Sequence, residues 1–247
     1  MAAADTSQPG DPSNQAQSPE NTEFKKSDDA KAEQLAASGN KEAALSRSFA
    51  VGKPFAQMFF DAYGEAGGRV HAETVIGAAA AVSGEFALRV LAPASTLERP
   101  QGWVVDRAVD RLLYSGESSG ELTIWSLIKV AVSDRGQAPL NDVSIEDIVR
   151  RNDAQIGKSP YPPLSIPPKH FPREWSPNAT IRLRQKVFAI AASHGLSPHE
   201  TALALGWALF EILRQARSSG IEPRVAGTLA AEIMIGVSRM IPLKTSY

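Results

Sequence analysis

The chain has 247 residues, a formal net charge of −1 and no cysteine. A nucleic-acid protein is expected to carry a strongly basic domain, so this balance argues against specific nucleic-acid recognition. The missing thiols exclude disulfides, thiolate catalysis and cysteine-ligated zinc or iron–sulfur centres.

Residues 1–48 hold eight acidic and five basic side chains, leaving 19 acidic and 21 basic for the rest. The opening MAAADTSQPGDPSNQAQSPE lacks both a basic n-region and an apolar h-region, so no secretory signal is read. No later window is read as a membrane span, and a cytoplasmic protein is expected. Residues 1–27 offer little to bury and are expected to be disordered. Their Ser/Pro/Gln-rich composition also resembles the secretion leader of injected bacterial effectors, a composition shared by ordinary linkers. From Asp28 to Ser48 helical character appears, interrupted at Ser38-Gly39-Asn40, and residues 1–48 are expected to form a polar tail.

The first part of the body covers residues 49–157. Phe55, Met58, Phe59 and Tyr63 recur at helical spacing after Pro54, and Gly67-Gly68 ends that segment. Arg69 to Ala92 predicts a longer helix whose middle is small: Gly77, Ala80, Ala81 and Gly84. Glycine inside a helix costs roughly 1 kcal/mol relative to alanine, so close approach of a neighbour is expected. The expected neighbour is the helix around Gly206. Pro93–Gly102 predicts a loop. Val104, Val105, Ala108, Val109, Leu112 and Leu113 predict an amphipathic helix of about three turns. Thr123–Ser133 predicts a short apolar helix, with a strand as the alternative. Ser144, with Asp147 three residues on, predicts the cap of another, ending near Asn152.

Residues 158–177 contain seven of the 17 prolines and predict an extended strap, laid on the core by Tyr161, Leu164, Ile166, Phe171 and Trp175. A partner's proline-recognition domain binding this strap is the alternative reading. Residues 178–247 predict three helices joined by short turns, hence antiparallel neighbours on the same core. Asn178 is the expected cap of the first, and Gly195 its end. Ser197-Pro198-His199-Glu200 is a capping box opening the second, whose run TALALGWALF is uncharged and apolar almost all round. That helix is expected to be the axle of the core. The third runs from Pro223 to Pro242. The fold class read from this pattern is all-α: a multi-helix bundle of about eight helices, with a proline-rich strap behind a disordered N-terminal tail.

Few motifs carry chemistry. Gly116-Glu117-Ser118-Ser119-Gly120 matches the G-x-S-x-G elbow, which works only on a strained turn from strand to helix; His170, His194 and His199 supply candidate bases. A serine hydrolase using Ser118 is the alternative function. Gly157-Lys158-Ser159 lacks the earlier glycine of a phosphate loop, and Pro160 stands where its helix should begin. His71-Ala72-Glu73 lacks the cysteines of a zinc deaminase. His194 and His199 are spaced i, i+5, off any common helical face, beside Glu200. The helix after HGLSPHE is too apolar to read a DNA groove. What remains is a cationic cluster, Lys169, Arg173, Arg182, Arg184 and Lys186, offered as the site for an anion or acidic partner. No cofactor or metal is expected. The favoured function is a non-catalytic interaction or scaffolding module, with a protein partner or a second copy of the chain.

Overall fold

The computed structural model describes residues 19–64, 70–99, 102–134 and 137–242, with side chains from residue 41 onward except at 117 and 118. Residues 1–18 of the expected tail lie outside them. The chain is all-α: the described residues form nine α-helices, three short 3₁₀ turns and no strand. It divides into two compact units, residues 1–43 and 44–247. The helices are α1 (Pro19–Tyr63), α2 (Ala72–Leu91), α3 (Ala94–Leu97), α4 (Arg107–Leu113), α5 (Ile124–Val132), α6 (Ile145–Gln155), α7 (Pro177–Ser193), α8 (Pro198–Ala216) and α9 (Pro223–Ser238).

α1 runs through both Ser38-Gly39-Asn40 and Pro54, where the sequence pattern suggests a break and a start. The side chains of Phe55, Met58 and Phe59 point into the core of the second unit. α2 takes the centre. Every residue from Glu73 to Leu88 is buried, and α9, α8, α7 and α4 all pack on it. By length and composition α2 is apolar enough to cross a bilayer, contrary to the reading of the sequence; 83% of that apolar window is buried within the protein. α8, the expected axle, is also largely buried and packs on α2 and α5.

The glycines show why. A Cβ on Gly84 would stand 2.3 Å from the Met234 carbonyl oxygen, so α2 and α9 touch backbone to backbone there. Gly206 faces the side chain of Ile124 on α5 instead. Close approach at Gly84 is therefore real, but its partner is α9 rather than α8.

The local signals fare well where a side chain closes them. Ser197 and Glu200 form the capping box of α8, the Ser197 amide donating to Glu200 Oε2 at 2.8 Å. Ser144 Oγ accepts from the Asp147 amide at 3.0 Å and starts α6. Gly195 and Gly220 adopt φ of +62° and +82°, the left-handed turn that ends α7 and follows α8. Beyond α1, three helices differ from expectation. α3 (Ala94–Leu97) forms one turn inside the expected Pro93–Gly102 loop. α4 begins only at Arg107, because Asp106 caps it by accepting from the Ala108 and Val109 amides. That leaves Val104 and Val105 outside the helix, with Val105 exposed. α7 begins at Pro177, one residue before the expected cap Asn178.

Between α6 and α7 the chain runs from Ile156 to Ser176 with one 3₁₀ turn, Pro168–His170. It is tied to the core at four points. Tyr161 Oη donates to the Gly236 carbonyl at 3.1 Å, and Ser165 donates its amide and hydroxyl to Glu232. His170 Nδ1 lies 2.9 Å from Glu73 Oε1, and the Arg173 amide donates to Thr74 Oγ1 at 3.0 Å. This segment is thus held against α2 and α9 along its length.

Candidate functional site

The cationic residues do not form one surface. Arg184 is 4% exposed and turned inward, donating through Nε and Nη2 to the two oxygens of Glu85 at 2.8 and 3.2 Å. Arg182 donates to Glu174 at 2.9 Å and lies over the ring of Tyr63, 4.4 Å from its centre. Lys169, Arg173 and Lys186 stay exposed. Arg182 and Arg184 are thus engaged by carboxylates of the chain itself.

Ser118 lies in the 3₁₀ turn Ser115–Ser119, directly after α4. A helix, not a strand, leads into it, so the turn that would strain and expose an elbow serine is not formed here. Of the candidate bases, His170 is bound to Glu73, while His194 and His199 flank the turn between α7 and α8. Glu200 beside them is already committed to the Ser197 amide and Arg47. No group of three or more histidines, aspartates or glutamates positioned for a metal occurs among the described residues.

The N-terminus of α2 carries one polar relay. Thr74 Oγ1 lies 2.8 Å from His71 Nδ1, and His71 Nε2 lies 3.5 Å from Glu73 Oε2. Hydroxyl, imidazole and carboxylate are the parts of a nucleophile site. Thr74 is buried, however, and its oxygen already accepts the Arg173 amide. The relay therefore fastens the segment from α6 to α7 rather than presenting a nucleophile.

One outward-facing feature is an aromatic cleft. Its walls come from three stretches distant in sequence. Gly102 and Trp103 precede α4, residues 157–161 and Trp175 flank α7 on its N-terminal side, and Met240 and Ile241 follow α9. It encloses about 740 Å³. Trp103 and Tyr161 meet edge to face, ring centres 4.5 Å apart. Trp175 stays 52% exposed although its indole Nε1 donates to the Tyr161 carbonyl at 2.8 Å. A tryptophan whose polar atom is satisfied from within presents only its ring to solvent.

The chain fixes these walls from below. Trp103 pairs antiparallel with Met240: the Val104 amide donates to the Arg239 carbonyl, and the Ile241 amide to the Gly102 carbonyl. Arg239, immediately before Met240, is fully buried. It donates to Asp110 of α4 at 2.6 Å and to Asp153 of α6 at 3.0 Å. Burial works against its charge, but the two carboxylates outweigh that and hold its proton more tightly than usual. Burial likewise pushes the hydroxyl of Tyr114 up to about 12. One guanidinium thus locks α4, α6 and the end of α9 together. Gly157, at φ +78°, makes the left-handed turn that carries the chain from α6 into the cleft wall.

The polar side chains of the cleft are Lys158 and Ser159; the remainder is aromatic, aliphatic or glycine. The sequence reading places Tyr161 and Trp175 against the core and dismisses Lys158-Ser159 as a failed phosphate loop. It passes over Trp103, Met240 and Ile241. For Trp103 the available signal is its place directly after Gly102, outside any helical stripe; Met240 and Ile241 carry none.

No family model matches the chain, and no curated protein or solved structure matches it.

Proposed function

We propose that the protein is a non-catalytic interaction module whose aromatic cleft binds an extended, proline-rich segment of a partner protein. The observation that carries this reading is exposed Trp175 beside half-buried Trp103, with the buried Tyr161 ring behind Trp103, in one open cleft with scarcely any polar side chains. Proline-rich peptides in the polyproline II conformation dock into such aromatic-lined grooves, and their stiffness keeps the entropy cost of binding low. A sugar would require several side-chain donors and acceptors, where this cleft supplies Lys158 and Ser159. Single-stranded nucleic acid would stack on the rings but requires a cationic groove along its backbone, and one lysine does not make one. The buried Arg239 network supports the reading from below, since it holds the walls in place before any partner arrives.

Isothermal titration calorimetry with a synthetic polyproline-based decapeptide tests this. Saturable binding is expected in the micromolar range, about −8 kcal/mol. Trp175→Ala should weaken it at least tenfold, as loss of an aromatic anchor does, while leaving the melting temperature unchanged. A single-stranded oligonucleotide should not bind. Binding of the oligonucleotide but not the peptide, or peptide binding indifferent to Trp175→Ala, would overturn the proposal.

A further inference from the structure

We infer that Lys158 sets the charge preference of the cleft, so that the preferred partner segment carries an acidic residue beside its prolines. This inference rests on the proposed docking of a proline-rich segment. Lys158 is exposed at the cleft wall and is the charged side chain among its lining residues. Its ammonium donates to the Ala154 carbonyl at 2.7 Å. That bond fixes the head group near the C-terminal end of α6 while leaving its charge uncancelled, because the acceptor is neutral. Glu174, next to Trp175, accepts from Arg182, while Asp110 and Asp153 share the single charge of buried Arg239, which leaves one negative charge below the cleft, behind its lining. Lys158 is therefore the charge exposed on the lining itself. An acidic side chain on the ligand would be attracted to it, and a basic one would meet a like charge over low-dielectric walls.

The experiment uses the full chain and three synthetic decapeptides that share one polyproline core and differ only in their flanks: two aspartates, two serines or two lysines. Affinities are read by fluorescence anisotropy at low and high salt. At low salt the aspartate peptide should bind about three- to tenfold more tightly than the serine peptide, and the lysine peptide more weakly than either. At about 1 M salt, where screening acts within roughly 3 Å, the three should converge. Lys158→Glu should invert the order, and Lys158→Gln should flatten it; both sit on the surface and should melt with the wild type. Equal binding of all three peptides, still dependent on Trp175, would overturn the charge preference and leave the docking reading standing. A preference that survives Lys158→Glu would also overturn it, since the charge responsible would lie elsewhere. Failure of all three peptides to bind would overturn both.

Discussion

Glu85 lies 2% exposed in the middle of α2, between Gly84 and Phe86. Burial pushes its carboxyl up, but the hydrogen bond from Arg184 and the charge of Arg89 outweigh burial, and it ionises below its ordinary range. A lowered carboxyl stabilises the fold above its unfolded value, near 4.5, and that contribution is lost as pH falls through the folded value. Glu85→Gln leaves Arg184 buried without a counter-charge, which typically costs about 3–5 kcal/mol. Urea denaturation at stepped pH should find that loss at neutral pH, shrinking as the wild type is acidified. Glu232 behaves oppositely. It is fully buried on α9, and there burial prevails over the hydrogen bonds of Ser165 and the charge of Arg151, so its carboxyl ionises above the ordinary range. Relative to the wild type, Glu232→Gln should therefore gain as pH rises past the ordinary carboxyl value. Parallel trends for the two variants would contradict these assignments. A lone carboxylate inside an apolar helical run marks both residues in the sequence. Their partners, Arg184, Arg151 and Ser165, are remote in the chain and follow only from the fold.

At the scale of elements, what is legible is what neighbours in sequence close among themselves. The Ser197–Glu200 box, the Ser144 cap and the Gly195 turn each involve residues within a few positions of each other. The Asp106 cap is equally local but is masked by the apolar stripe that Val104 and Val105 extend, and α4 is shorter than that stripe. Helix pairing is another matter. The small residues of α2 announce a close neighbour, yet nothing in them chooses between α8 and α9, because that choice belongs to the packing of the whole core. The distances decide it. Gly84→Ala would place its methyl carbon 2.3 Å from the Met234 carbonyl, and backbone must move. About 1–3 kcal/mol of stability should be lost, more for Gly84→Leu. Gly206→Ala meets the flexible Ile124 side chain at 3.1 Å and should lose less. Thermal melts of the three variants, with mass followed by light scattering, check both. Equal melting temperatures for Gly84→Ala and Gly206→Ala would contradict the backbone contact, and a change of mass would place that face between molecules.

For the whole molecule, the helical periodicity of the sequence predicts an all-α bundle, and the structure is one. The cleft was not legible in the same way. Its rings sit at positions 103, 161 and 175, and Met240 and Ile241 complete it from the end of α9. Arg239, Asp110 and Asp153 align those stretches, three charges that read singly as ordinary surface residues. Another aromatic face, where Phe49 and Phe210 both pack edge-on against Trp207, offers the natural control. The most direct measurement is amide chemical-shift mapping by NMR during titration with the aspartate-flanked polyproline peptide. Shifts should saturate together at Gly102, Trp103, Lys158, Ser159, Met240, Ile241 and the Trp175 indole, and leave Phe49 and Phe210 unmoved. Absence of saturable shifts, or shifts centred on Phe49 and Phe210, would contradict the assignment of the cleft as the binding site.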